Sequence, residues 1–110
     1  MRDLSQIEEM ILWAVWRLQG NAYGVTLRES LAEATGRIIP YGTLYSALAR
    51  LSRIGFVFRT TGDPTPKRGG RSKNYYRITP DGLSTLKEAL ELKKSLWDPK
   101  TESALTKAIV

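Results

Sequence analysis

The 110-residue chain contains neither histidine nor cysteine. That removes the usual general base near neutral pH, the commonest metal ligand, the thiolate nucleophile and every disulfide. The side chains left to do chemistry are cationic and aromatic. Residues 65–79, TPKRGGRSKNYYRIT, hold Lys67, Arg68, Arg71, Lys73 and Arg77 with no carboxylate among them. Over residues 37–79, nine lysines and arginines stand against Asp63 alone, net +8, whereas residues 1–36 carry net −2 and residues 80–110 net zero. A charge kept for solubility would be spread over the surface, while one gathered into a single segment is the footprint of a polyanion. No arrangement of Lys, Tyr, Ser or carboxylate groups suggests a reaction centre, so neither an enzyme nor a bound cofactor or metal is expected.

Bulk properties place the chain among ordinary globular domains. It has 42% apolar and 25% charged residues, and its length supports one domain with a small core. The longest apolar run, Met10 to Trp16, is seven residues, too short to span a bilayer. Glu8 and Glu9 precede that run, which does not suit a secretory signal, and a cytoplasmic protein is expected.

The cationic segment must be held by the elements around it. Ser5 and Glu8 have capping-box spacing at a helix start. Ile7, Met10, Ile11, Ala14, Val15 and Leu18 then recur at helical spacing up to Gly20. Leu12, Trp13 and Trp16 lie off that stripe, so this helix is apolar nearly all round and needs cover on several sides; a second copy of the chain is one source of that cover. A second helix is expected over residues 22–36 and a third over about 41–54, with Leu44, Leu48 and Leu51 as its buried stripe. Residues 56–61 and 72–79 read as strands joined by a hairpin loop. Thr79-Pro80 opens a last helix that Asp98-Pro99 closes.

Three helices, a hairpin and a long helix give a mainly α fold with a small β-hairpin (α+β): a winged helix-turn-helix followed by a C-terminal helix. In that arrangement the third helix enters a major groove by its N-terminal end. Thr43 and Ser46 come early on its outer face, where bases would be met, with Tyr41 and Tyr45 beside them. Arg50 and Arg53 come later, where the helix would turn toward phosphates. Gly69-Gly70 permits a sharp reversal at the hairpin tip. Lys67, Arg68, Arg71 and Lys73 around that tip, with Tyr75 on the return strand, form a clamp for the polyanion.

The stretch PYGTLYSALARLSRIGFV, residues 40–57, resembles the signature region of the PadR family of bacterial transcriptional regulators. Its parts are Gly42-Thr43-Leu44-Tyr45, followed by Ala47, Leu48, Arg50 and Leu51. A second stretch, GRSKNYYRITPDGLSTL at residues 70–86, is similar to the family's wing strand and the start of its C-terminal helix. Tyr23-Gly24 resembles the aromatic-glycine pair at the family's second helix. The resemblance covers about residues 5–97. It implies a homodimeric repressor on double-stranded DNA, paired through its first and last helices. It divides the chain into a DNA-binding part at 1–79, a dimerisation helix at 80–98, and a short tail at 99–110 that is either a helical turn or disordered. Some relatives bind flat aromatic effectors between their C-terminal helices. Trp13, Trp16 and Trp97 are therefore expected at a dimer interface or at such an effector site. The alternative reading is a winged-helix protein-interaction module whose basic segment meets an acidic protein without reading DNA sequence.

Overall fold

The computed structural model describes residues 4–62 and 73–109. Five helices and one hairpin follow in the order α1 (Gln6–Arg17), α2 (Gly24–Thr35), α3 (Tyr41–Arg53), β1 (Val57–Thr61), β2 (Asn74–Ile78), α4 (Pro80–Leu96) and α5 (Pro99–Ile109). This is the winged helix-turn-helix, α+β arrangement expected from the sequence.

Local chemistry sets each boundary. At α1 the capping box forms: the Glu8 N–H donates to the Ser5 hydroxyl at 3.2 Å, and the Ser5 N–H donates to the Glu8 carboxylate at 2.8 Å. α2 begins two residues later than the sequence suggests. Tyr23 is fully extended (φ −138°, ψ 177°), and the Ala22 carbonyl accepts the Tyr76 N–H of β2 at 2.8 Å. Ala22 is thus drawn to the edge of the hairpin instead of the helix. Gly36 closes α2 in the left-handed region at φ 73°, where a side chain would be strained. Thr79 caps α4: its hydroxyl accepts the Gly82 N–H at 3.0 Å and donates to the Gly55 carbonyl at 2.6 Å. The start of α4 is thereby tied to the end of α3. Residues 99–109, expected as a short tail that is either helical or disordered, form three turns of α5, led by Asp98, whose carboxylate accepts the Thr101 N–H at 2.7 Å.

One core binds these elements. Ile11, Leu12 and Val15 of α1 meet Leu27 and Leu31 of α2, and Leu44, Leu48 and Leu51 of α3. Phe56, Val57 and Tyr76 bring in the hairpin, and Leu86 brings in the first half of α4. The strands are antiparallel, with Val57 opposite Ile78, Arg59 opposite Tyr76 and Thr61 opposite Asn74. Side chains alternate between faces, so Val57, Ile78 and Tyr76 turn to the body. Beyond Ala89 every described residue of α4 and α5 is exposed.

Candidate nucleic-acid interface

Helix α3 is buried on one side and open on the other. Leu44, Ala47, Leu48 and Leu51 face the core, while Tyr41, Thr43, Tyr45, Ser46 and Arg53 are exposed. Five of the six residues expected on this helix are thus exposed, with Thr43, Ser46 and Arg53 on the side of α1 and Tyr45, with Tyr41 stacked on it, on the other. The N-terminus of α1 borders it on one side through an open groove of about 750 Å³ that includes Ser5, Thr43, Ser46 and Arg53. The hairpin borders it on the other through a cleft of about 800 Å³, lined by Tyr45, Ala49, Ser52, Arg59, Asn74 and Tyr76.

Arg50 is placed differently from its neighbours. Its guanidinium meets the Glu8 carboxylate at 2.5 Å, with 38% of the Arg50 side chain and 11% of the Glu8 side chain exposed. Burial pushes the Glu8 carboxyl up. The Ser5 N–H, the Arg50 guanidinium and the Ser5 side chain outweigh that and hold it below its ordinary value. Arg50 lines the same groove as Thr43 and Ser46 while paired with Glu8, and Arg53 is the more open cation of the last turn.

The aromatic residues are held in a definite order. Arg28 of α2 donates from Nε to the Ile39 carbonyl at 2.8 Å and lies 4.2 Å from the Tyr41 ring centroid. Tyr41 stacks on Tyr45 with centroids 6.0 Å apart and planes 18° off parallel. Tyr45 in turn reaches across to Gly24, where a Cβ would collide with its hydroxyl. In the hairpin, Tyr75 is half-buried and meets Tyr23 edge-on at 5.3 Å, and the Lys73 ammonium sits 4.4 Å from the Tyr23 ring. Burial raises the Tyr76 hydroxyl pKa.

Lys67, Arg68, Arg71 and the Gly69-Gly70 tip lie outside the described residues. Of the expected wing, Lys73 and Tyr75 are described, and both lie at its base. Two cations near the site were missed in the sequence. Arg59 stands exposed in the cleft between α3 and the hairpin, and alternation along β1 carried the signal, since it faces the same way as buried Val57. Arg28 is the second, acting through Tyr41. Trp13 and Trp16 line an apolar pocket of about 440 Å³ between α1 and α2, with Met10, Leu31 and Ala34. Trp97 stands apart, 52% exposed at the end of α4. Among the described residues, no helix is long and apolar enough to cross a membrane.

Known structures share this architecture. A transcriptional regulator from Clostridium thermocellum matches with a TM-score of 0.66 and 26% identity, over 96% of this chain and 97% of the other. The RosR protein of H. salinarum matches with a TM-score of 0.72 and 23% identity, over 98% and 92% of the two chains. Bacillus subtilis PadR, solved in complex with operator DNA, matches with a TM-score of 0.66 and 22% identity, over 78% of this chain and 47% of its own. No curated protein sequence matches significantly. The family model for the PadR-like transcriptional regulators matches residues 12–88, from α1 through the first half of α4. The chain belongs to the PadR-like family of transcriptional regulators.

Proposed function

We propose that the protein is a sequence-specific DNA-binding repressor that acts as a symmetric homodimer on a pseudo-palindromic operator. The observation that carries this reading is the outward surface of α3. Thr43, Ser46 and Arg53 form one exposed row, with Tyr45 on the side toward a hairpin that contributes Arg59 and Lys73. Hydroxyls near the N-terminal end suit base edges, and the arginine at the C-terminal end suits the backbone. Lys67, Arg68 and Arg71 extend the cationic count of the same hairpin in sequence. Bacillus subtilis PadR, whose structure holds operator DNA, has the same fold and supports this use of it.

Exposed surface supports a dimer. A compact monomer of this mass exposes about 6,100 Å², and this chain exposes 7789 Å². Its radius of gyration is 16.5 Å against about 13 Å for a compact domain of this length. Among the described residues, uncovered apolar side chains supply part of that surface: Trp16 on α1, Leu83, Leu90, Leu92 and Leu96 on α4, Trp97 after it, and Leu105 and Ile109 on α5. We assign these to contact between two copies through the first and last helices, with α3 and the hairpin kept for DNA. The pocket beside Trp13 and Trp16 falls within the size range of small-molecule sites and is the place we assign to an aromatic effector.

The test is selection of bound duplexes from a random pool, followed by titration of the enriched site at several salt concentrations. One inverted-repeat motif should emerge, with half-sites about 34–36 Å apart. Its affinity should fall steeply with salt as counterions are released. Absence of any enriched motif would overturn the reading, and binding to acidic protein instead would favour an interaction module.

A further inference from the structure

The segment between α1 and α2 touches both elements of the proposed DNA surface, although no charge or sequence pattern marks it for binding. Four successive residues each have a separate attachment. The Asn21 carbonyl accepts the Thr26 hydroxyl at 2.6 Å, and the Thr26 oxygen accepts the Tyr23 N–H at 3.0 Å, which closes the turn on itself. The Ala22 carbonyl takes the Tyr76 N–H at 2.8 Å, so β2 is bonded to this turn on the edge that β1 leaves open. The Tyr23 ring takes Tyr75 on its edge at 5.3 Å and the Lys73 ammonium at 4.4 Å. Gly24 lies directly under the Tyr45 hydroxyl, in space that any larger side chain would fill. Tyr45 carries the contact onward, because it stacks on Tyr41, which Arg28 holds from α2.

We propose that residues 21–26 are the joint that fixes the wing at a set angle to the recognition helix, with Tyr23 as its positioning residue. The inference rests on the DNA-binding reading above and adds to it a residue that need not touch DNA. The physical reason is that, among the described residues, the part of the hairpin beyond Val57 and Ile78 has few other anchors. Two strands alone are marginal in water, and the wing base is clamped to the body through Tyr76, Tyr75 and Lys73. All three meet this turn. Its two side-chain contacts are made by the ring of Tyr23 and not by its hydroxyl. Gly24 adds the second half of the joint, since only glycine lets Tyr45 come down onto the same turn. A wing free to swing would lose its register with α3, and two groups that must reach neighbouring grooves at once would no longer be preorganised.

Hydrogen exchange and duplex binding, measured together on Tyr23→Ala, Tyr23→Phe and Gly24→Ala, test this. In Tyr23→Ala, exchange at the amides of Tyr75, Tyr76 and Gly62 should rise about tenfold, the scale of an aromatic pair plus a cation–π contact. Amides in the middle of α1 should be unmoved. Tyr23→Phe should behave as wild type in both measurements. On the selected duplex, Tyr23→Ala should bind about tenfold more weakly, and adding Lys73→Ala should cost less in that background than in wild type, as expected for coupled partners. Gly24→Ala should displace Tyr45 and lower the preference for the selected duplex over random duplex. Unchanged exchange at the wing base in Tyr23→Ala would overturn the joint. Raised exchange with unchanged duplex affinity would overturn its role in positioning. A wild-type chain that binds no duplex would sink the DNA reading instead, and the exchange measurement would still decide the joint. If Tyr23→Ala does not fold, Tyr23→Leu keeps bulk while removing the ring and takes its place.

Discussion

The Glu8 carboxylate and the Arg50 guanidinium meet at 2.5 Å, joining the first turn of α1 to the last turn of α3. The same carboxylate accepts the Ser5 N–H, so a single side chain both caps α1 and anchors the proposed recognition helix. Because the Glu8 pKa is lowered in the folded chain, its contribution to stability is fully present above its ordinary value of 4.5 and is lost as pH falls through the lower folded value. Glu8→Gln should therefore cost about 1–2 kcal/mol at pH 7, a figure reduced for the partly exposed guanidinium. Urea unfolding should show the gap between variant and wild type narrowing as pH drops below 4.5. A constant gap across that range would contradict the assignment.

Helix α3 allows a separation of base reading from backbone attraction. Thr43→Ala or Ser46→Ala should change which base pair is preferred at one position, by about 1–3 kcal/mol, with little effect on the salt slope. Arg53→Ala should weaken binding to every duplex alike and flatten the log–log salt slope by about one. Neutralising Arg68 and Arg71 together should do the same to a larger degree. Anisotropy titrations on selected and scrambled duplexes at several salt concentrations distinguish the two patterns.

Two glycines should respond in opposite directions to alanine. A Cβ on Gly82 would collide with the Phe56 carbonyl and press on Ile78, so Gly82→Ala should cost about 1–3 kcal/mol as overpacking. Gly42 has nothing within 4 Å of such a Cβ and lies in the first turn of α3. Gly42→Ala should add up to about 1 kcal/mol through helix propensity. Thermal melts of the two variants should move to either side of wild type.

The proposed dimer predicts its own disruption. Leu96→Glu with Leu105→Glu places charge on two exposed apolar positions while leaving the core intact. Sedimentation should shift from about twice the 12.4 kDa chain mass toward the single chain, with an unchanged helical spectrum. An unshifted mass would remove α4 and α5 from the interface.

Much of this architecture was legible because its signals are local. The Ser5–Glu8 spacing, the stripe of Leu44, Leu48 and Leu51, and the Thr79-Pro80 start each depend on residues within a few positions. What escaped depends on partners far apart in the chain. Arg50 read as a phosphate ligand because its spacing on the helix is right, and nothing in its neighbourhood announces Glu8, 42 residues earlier. Ala22 read as helical by composition, but bonding to β2 overrides that preference. Tyr23 read as part of a family pair, and its contacts with Tyr75 and Lys73 arise only once the hairpin folds back. Arg59 could have been found by counting faces along β1 from Val57.

The bond from Tyr76 to the Ala22 carbonyl has a further result. A two-stranded sheet offers two open edges on which a foreign chain can add a strand, a route to aggregation that natural proteins block. Here the outer edge of β2 is already occupied at its centre by the turn before α2. The outer edge of β1 is left, where Arg59 places a charge that disfavours stacking of like copies. The protein can thus display a small hairpin in water without offering it as a template.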